Sequence, residues 1–468
     1  MNKLIEMEIC SNVVEEKKMD EHVVSEYEVR GYRICIFIEN GALYYSAKPQ
    51  YDFNQDPLLF TELSALVYKN KERLGKNILK FDELVDTIKS ICMWKILEIE
   101  NLPLNPDIFA ELFIYKLVNF DRVICFFLDD NLNEIYMDQK DTPIYIDHQS
   151  FGRCNTSIVL EDEEIKSLLT RLKLEHPISV TTKRPSLKIE FKTKFFHLRI
   201  SMDFPPLSPN GPTFNIRKLK TNHLTLLDLV KLETLTPLLA SYFVEAVEKR
   251  RNITIIGEPS AGKTTLANAI DLYTPKHWRK IAIEDAIESI NQSSMGYKQL
   301  SIQVDSFESS KSTYTKTSEI LKLLHRSPDW IYLGEIQSRE HTQAMFEALN
   351  AGLKGIQTAH ADTIEKILRR WENLHNIDFS DFLSLDLIVI IQREITKNSF
   401  IRKISEVYEV DKLKQSKEKY GFLTKIYDDQ MDEQQLIETL KNKSILQNSI
   451  DSILQRQDIF KRELEIIK

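Results

Sequence analysis

A nine-residue phosphate-loop motif constrains this chain more than any other stretch. It fits the pattern G-x-x-x-x-G-K-[ST], in which backbone N–H groups and a helix N-terminus face phosphate oxygens. Lys263 would reach the β- and γ-phosphates, and the Thr264 hydroxyl would bind Mg²⁺. An apolar run before the motif and a helix-forming run after it supply the required strand–loop–helix order. The motif predicts a nucleotide site, and by itself it fits a kinase, a helicase or a GTPase. Its residues are Gly257, Glu258, Pro259, Ser260, Ala261, Gly262, Lys263, Thr264 and Thr265.

Length and composition indicate a globular protein of several domains. The chain has 468 residues, of which 42% are hydrophobic and 28% charged. A net charge of −8 disfavours a dedicated nucleic-acid binder. The sequence contains no apolar run long enough to span a membrane, and its first residues carry charges, so we expect a cytosolic protein. Five cysteines without a C-x-x-C pair indicate neither a disulfide framework nor a zinc site.

The order of strand-like and helical stretches predicts an α/β chain in four parts. Strands and helices alternate around the phosphate loop, which is typical of an α/β domain with a parallel sheet. Near the end, Leu436, Leu440 and Leu454 recur at roughly helical spacing. They indicate amphipathic helices packed on the motor or, alternatively, a docking surface for a partner. The four parts are a small α/β module of unknown role (1–104), an α+β domain (105–222), the motor domain (223–425) and a C-terminal amphipathic helical tail (426–468).

Two arginines ahead of the motor block are candidate catalytic residues. Arg199 and Arg217 lie on strand-like runs near the ends of a Pro-rich segment, 201–212. An NTPase needs cations against the charge that develops on the transferred phosphoryl group, and arginine fingers supply them. The alternative is that either arginine lies on a solvated strand face.

Three acidic residues follow the first predicted strand after the phosphate loop. They are Glu284, Asp285 and Glu288. Ligands of open α/β sheets bind at the carboxyl ends of the strands, where a carboxylate can activate water or help hold a metal. The alternative is a solvated turn.

Two further candidates end later strands. Glu335 follows the apolar run 330–333, which is the Walker B arrangement for holding Mg²⁺ or its water shell. Glu340 opens the next helix and is either a solvated residue or a second site acid. His360 lies near the end of the following strand, where either a structural role or a phosphate-sensing role fits.

These motifs, taken in order, resemble those of the secretion (traffic) ATPases of type II and type IV secretion systems. Within that family they look most like the archaeal enzymes that assemble archaella and type IV pili. The resemblance covers roughly residues 120–405 and implies a RecA-like P-loop NTPase motor domain preceded by an α+β N-terminal domain. The matching runs besides the phosphate loop are Phe-Asn-Ile-Arg-Lys (214–218), the acidic box Ile-Glu-Asp-Ala-Ile-Glu (283–288), the Walker B run Pro-Asp-Trp-Ile-Tyr-Leu-Gly-Glu-Ile (328–336) and the histidine box Thr-Ala-His-Ala-Asp (358–362).

The resemblance also implies roles and partners. It implies a homo-hexameric ATPase that uses ATP and Mg²⁺ beneath a polytopic membrane platform protein. The net negative charge leads us to expect no nucleic-acid partner. Glu288 would polarise the attacking water, Glu335 would hold Mg²⁺ through water, and His360 would sense the γ-phosphate. Arg199 and Arg217 would reach the nucleotide from the N-terminal domain.

Three positions depart from the family pattern. Leu353 stands where a first histidine is usual, His325 where an arginine is usual before Pro-Asp, and Gln337 where an arginine follows Gly-Glu-Ile. These departures leave two hypotheses open: a motor that powers pilus, archaellum or secretion assembly, and a nucleotide-binding scaffold or regulator with weak turnover. A third hypothesis is a motor that acts on nucleic acid, which the net negative charge of the chain disfavours.

Overall fold

The computed structural model describes residues 23–74, 80–175, 181–183, 185–219, 223–304, 315–395, 400–412 and 420–467. The chain divides into two compact units, Met1–Thr221 and Asn222–Lys468. The part of the expected N-terminal module that precedes residue 23 lies outside the described residues. None of the described helices combines the length and the apolar content needed to cross a membrane.

The first unit is built on a mixed nine-stranded sheet with helices. The strand order is β1-β2-β3-β6-β5-β4-β9-β8-β7, and only the β3–β6 pair is parallel. The strands are β1 (Val23–Val29), β2 (Tyr32–Glu39), β3 (Ala42–Pro49), β4 (Leu132–Met137), β5 (Tyr145–His148), β6 (Gly152–Asn155), β7 (Ser186–Lys192), β8 (His197–Asp203) and β9 (Thr213–Lys218). The helices are α1 (Pro57–Lys69), α2 (Phe81–Leu97), α3 (Pro106–Leu117), α4 (Ile124–Leu128) and α5 (Asp162–Glu175).

One hydrophobic core joins the early and late parts of this unit. Phe53 lies against Phe109 and Phe113 of α3, with ring centroids 5.2 and 5.8 Å apart. Helix α3 begins after Asn105, whose side chain accepts the Asp107 N–H at 2.9 Å and so caps the helix. The boundary expected at residue 104 therefore falls inside the first unit, because strands and apolar side chains from both sides of it share one sheet and one core.

The second unit is built on an eight-stranded sheet whose order is β12-β11-β13-β14-β10-β15-β16-β17. The first six strands in this order are mutually parallel, and the last two pair antiparallel. The strands are β10 (Ile253–Gly257), β11 (Arg279–Glu284), β12 (Lys298–Gln303), β13 (Trp330–Ile336), β14 (Gly355–His360), β15 (Leu387–Ile395), β16 (Phe400–Val410) and β17 (Leu423–Asp428). The helices are α6 (Leu226–Lys231), α7 (Pro237–Glu248), α8 (Lys263–Asp271), α9 (Lys316–Lys322), α10 (Arg339–Asn350), α11 (Ile364–Arg369), α12 (Glu433–Lys443) and α13 (Ile450–Ile467).

This strand order confirms the predicted fold class. The phosphate-loop strand β10 lies between β14 and β15, and β13 separates β14 from β11, which is the strand arrangement of a RecA-like P-loop domain. Buried residues alternate between the two faces of the sheet: Ile255 belongs to one apolar cluster and Ile256 to the other. Leu436 and Leu440 of α12 join the cluster of Ile255, so the C-terminal helices pack on the motor.

The parallel arrangement decides where the motifs meet. Parallel strands end at the same edge of a sheet, and β10, β11, β13 and β14 carry the phosphate loop, the acidic box, the Walker B acid and the histidine at or just after their carboxyl ends.

Candidate functional site

The phosphate loop connects β10 to α8 through a tight, exposed turn. Ser260 and Gly262 both adopt left-handed backbone conformations, with φ of 60° and 100°. Gly262 caps α8 without any side-chain hydrogen bond. Gly257 must be a glycine, because an added Cβ would lie 2.3 Å from the carbonyl oxygen of Ile391. The loop therefore presents backbone and the start of a helix, which is what phosphate oxygens require.

Lys263 is the buried first residue of α8 and its ammonium is folded back on the loop. Its Nζ donates to the carbonyl oxygens of Gly257 at 3.0 Å and Glu258 at 2.8 Å. It also lies 3.0 Å from Nδ1 of His360. The neighbouring Thr264 and Thr265 are half-buried on the same helix.

His360 links the phosphate loop to the Walker B acid. It pairs with Gly257 across β14 and β10, and its Nε2 contacts Glu335 Oε1. Because an ammonium can only donate, Nδ1 must accept from Lys263, and the ring hydrogen then lies on Nε2 and faces the carboxylate. Burial lowers the pKa of His360, an effect that Glu335 opposes and Lys263 reinforces. The ring is therefore neutral near pH 7.

Glu335 owes its direction to an irregularity in β13. The pairing of β13 with β14 shifts register between Leu333 and Glu335, as in a β-bulge, which re-aims a side chain. Gly334 lies at this point, and a Cβ on it would meet Cγ of Glu284 at 3.1 Å. The Gln337 amide donates to the other carboxylate oxygen, Oε2. Both oxygens of Glu335 are thus in contact with neighbouring side chains.

The acidic box is organised around Glu284 rather than Glu288. The carboxylate of Glu284 is buried at the end of β11 and accepts the backbone N–H groups of Glu288 at 3.1 Å and Ser289 at 3.0 Å, as well as the Ser289 hydroxyl. Burial raises the pKa of Glu284 to about 7. Glu288 is half-buried, and its carbonyl accepts from Asn268 of α8 at 2.8 Å, which ties the box to the phosphate-loop helix. Glu340, the other acid considered, is exposed at the start of α10.

Sequence reasoning missed two basic residues of this site. Lys316 begins α9, and its Nζ lies 2.6 Å from Asp285 Oδ1 and donates to the carbonyl of Glu335 at 2.9 Å. Arg402 of β16 donates from Nε to the Ser260 carbonyl at 3.2 Å. Burial, and then the charge of the cross-strand partner Arg393, lowers the pKa of Arg402. Neither residue lies in a recognisable motif, so only their positions in the fold identify them.

Arg199 and Arg217 lie in the first unit, whereas the other predicted site residues lie in the second. They are direct cross-strand partners on β8 and β9. On the outer sides of this pair, Glu134 of β4 lies opposite Arg217 and Glu190 of β7 lies opposite Arg199. Directly opposed residues share one face of a sheet, so the structure brings the two arginines together with an acid on either side. Arg217 is exposed and Arg199 half-buried.

The donor set fits a magnesium nucleotide better than a protein-only metal site. Across the described residues, no group of three or more His, Cys, Asp or Glu side chains is placed to hold a metal ion. Mg²⁺ commonly takes one or two protein ligands, with nucleotide phosphates and waters completing its shell. Thr264 and Glu335 could supply that contribution.

Comparison with known proteins places the chain in context. Residues 112–459 match the family model for type II/IV secretion system proteins. An uncharacterised protein of Methanocaldococcus jannaschii is 24% identical over 347 residues, which cover 72% of this chain and 46% of that protein. The conjugal transfer protein TrbB of Rhizobium radiobacter is 30% identical over 222 residues, covering 44% of this chain and 62% of TrbB. The alignments thus span less than two thirds of either relative. The X-ray structure of the ATPase DotB of Legionella pneumophila aligns at 16% identity with a TM-score of 0.46, over 71% of this chain and 84% of DotB.

Proposed function

The chain belongs to the type II/IV secretion system protein family, and from that premise we propose that it is an ATPase of a pilus, archaellum or secretion machine. It would bind ATP at the phosphate loop and convert hydrolysis into movement of its domains. We further propose that the chain forms a homo-hexamer. The hexamer would work at the inner face of the cell membrane through a polytopic platform protein, without nucleic acid.

One observation carries the proposal: the contact chain Lys263–His360–Glu335. It joins the phosphate loop, the histidine box and the Walker B acid at the carboxyl edge of three neighbouring strands. An ammonium, a neutral imidazole and a carboxylate lie within contact distance there. The ammonium suits a phosphate, the imidazole suits a γ-phosphate oxygen, and the carboxylate suits a hydrated Mg²⁺.

In this proposal each site residue has a defined task. Lys263 turns from the loop carbonyls to the β- and γ-phosphates. Thr264 and Glu335 would hold Mg²⁺, and the ion would supply positive charge against the charge that develops on the phosphates. Glu288 orients the attacking water, with its loop held by Glu284. His360 senses whether the γ-phosphate is present.

Two arginines of the first unit are the remaining candidates. We propose that Arg199 and Arg217, on the part of the chain expected to act as the N-terminal domain (105–222), supply positive charge to the nucleotide during turnover. Their cross-strand pairing presents two guanidinium groups on one sheet face, which supports this role because such groups suit phosphate oxygens.

Steady-state phosphate release by the purified chain tests the proposal. Lys263→Ala and Glu288→Gln should each lower turnover at least about 100-fold, as expected when a transition-state contact is removed. Lys441→Ala, an exposed change on α12, is the matched control and should match wild type. If wild type releases phosphate no faster than Lys263→Ala, with and without lipid vesicles, the motor function is refuted.

A second candidate, a nucleotide-binding scaffold with weak turnover, is favoured by one contact. Gln337 occupies Oε2 of Glu335, whose other oxygen contacts His360, so both carboxylate oxygens are engaged by side chains. The scaffold function predicts nucleotide affinity in the absence of turnover. Under it, Gln337→Ala, which leaves Oε2 without this donor, should raise phosphate release, whereas the motor function predicts that wild type already turns over.

A further inference from the structure

Lys316 is a buried ammonium that touches two motifs of the nucleotide site at once. Its side chain is 1% exposed. The Nζ atom lies 2.6 Å from the carboxylate of Asp285, which follows β11, and 2.9 Å from the carbonyl oxygen of Glu335 on β13. Strands β11 and β13 are parallel neighbours, so Lys316 bridges their carboxyl ends.

The contact with Glu335 falls on the irregular part of β13. The register shift between Leu333 and Glu335 alters the local pairing with β14 and turns the Glu335 side chain toward His360. A donor on the Glu335 carbonyl holds that peptide plane, and with it the direction of the side chain.

A simple ion pair does not account for this arrangement. A buried ion pair contributes little net stability compared with apolar side chains of the same volume, because both charges must leave water. The same helix already carries a second pair, Lys322 with Glu319, in which the glutamate is buried but the lysine is 52% exposed. Lys316 differs from Lys322 in pointing inward onto an acidic-box residue and the Walker B backbone.

We propose that Lys316 is a positioning residue that sets the orientation of Glu335 toward the nucleotide-bound metal. This inference rests on the proposed ATPase function, since it assigns Lys316 an effect on the Mg²⁺-dependent step. Lys316 acts through the Glu335 backbone, with Asp285 as the counter-charge of the buried ammonium, and it acts on the geometry of the site rather than on phosphate.

Four variants separate this role from a purely structural one: Lys316→Met, Lys316→Arg, Asp285→Asn and the double variant Asp285→Asn/Lys316→Met. Lys322→Met is the matched control on the same helix. Each is measured for its thermal midpoint, for phosphate release, and for the affinity of a fluorescent ADP analogue with and without Mg²⁺. The last measurement does not depend on turnover.

Loss of the Lys316 contact should lower activity through the metal. Lys316→Met should reduce kcat about 10- to 100-fold and raise the Mg²⁺ concentration for half-maximal activity, as changes behind a metal ligand usually do. Affinity for the ADP analogue without Mg²⁺ should stay within about threefold of wild type, because the phosphate loop is untouched. Asp285→Asn should lie closer to wild type in kcat, since the ammonium still reaches the Glu335 carbonyl. Lys316→Arg should recover part of the activity, and Lys322→Met should change neither value.

The double variant decides between the two roles. Removing both charges should restore the thermal midpoint lost in either single variant, because no unpaired buried charge remains. Its kcat should nevertheless stay as low as that of Lys316→Met. Recovery of both stability and kcat in the double variant would overturn the inference, and so would a Lys316→Met variant with unchanged kcat and Mg²⁺ dependence.

Two outcomes keep this inference apart from the proposed function. If Lys316→Met fails to fold, the double variant carries the comparison. If wild type itself does not release phosphate, the ATPase function fails. The increase in affinity for the ADP analogue that Mg²⁺ causes then decides. If this increase is lost in the double variant but kept in Asp285→Asn, the positioning role is supported. If the increase is kept in both variants, the positioning role is refuted.

Discussion

Replacing Glu284 by glutamine should make the stability of the protein less dependent on pH. The Glu284 carboxyl is 3% exposed, and burial raises its pKa from 4.5 to about 7. The unfolded chain, with the ordinary pKa, loses this proton first as the pH rises. Below pH 4.5 the carboxyl is protonated in both states, and folding carries no penalty from it. As the pH rises from 4.5 through about 7, the folded protein progressively loses stability relative to the unfolded chain.

The size of the effect follows from those two pKa values. Proton linkage gives a cost to folding of about 0.8 kcal/mol at pH 5 and about 3.3 kcal/mol at pH 8, relative to the fully protonated state. Wild type should therefore lose about 2.5 kcal/mol between these pH values through Glu284 alone. Glutamine retains an acceptor for the backbone N–H groups of Glu288 and Ser289, and its amide can donate to the Ser289 hydroxyl, so the loop geometry is preserved.

Urea unfolding of the full chain without nucleotide or Mg²⁺ measures this difference. The fluorescence of Trp330 and Trp371, both buried in the second unit, reports its unfolding. The quantity of interest is the stability of Glu284→Gln minus that of wild type at pH 5, 6, 7 and 8, because other titrating groups cancel in it. Glu347→Gln, an exposed change on α10, is the control. A difference that stays constant across this range, or that falls as the pH rises, would refute the assignment of a raised pKa to Glu284.

Three further predictions use other parts of the structure. Gly355→Ala should destabilise the second unit by at least about 2 kcal/mol in urea unfolding, because its Cβ would lie 2.0 Å from the Ile331 carbonyl oxygen; Lys441→Ala, an exposed change on α12, should cost clearly less, and equal costs would contradict this reasoning. Arg217→Ala should lower phosphate release about 10-fold or more while leaving the thermal midpoint near that of wild type, and unchanged release would count against a composite site. Arg402→Gln should weaken binding of ADP by about 10-fold, because it removes a cation from beside the phosphate loop; equal affinity of the variant and wild type would show that Arg402 only supports the loop.

The order of motifs along the chain was enough to predict the motor fold. The phosphate loop demands a buried strand before it and a helix after it, and β10 and α8 have that order. Glu335 and His360 were assigned to strand ends because apolar runs precede them, and β13 and β14 bear this out. These features are local, so hydrophobic pattern and residue type are sufficient to find them.

The expected division of the first 221 residues shows where local reasoning ends. The boundary at 104 was drawn from changes in composition and periodicity. The structure places β3 beside β6, across more than 100 residues of chain, and gives them one core. Strand pairing at such a distance depends on the packing of the whole sheet, and nothing near residue 104 in the sequence reports it.

The sequence by itself determined which chemistry is present: a phosphate loop, carboxylates and a histidine at strand ends, and a pair of arginines on strands. The tertiary structure alone decided how these groups are oriented. The register shift at Gly334 directs Glu335 toward His360, burial makes Glu284 an internal acceptor for the acidic box, and Lys316 and Arg402 enter the site from α9 and β16. The physical reason is that burial, direction and distance arise from contacts between segments far apart in the chain, whereas motifs record only neighbours in sequence.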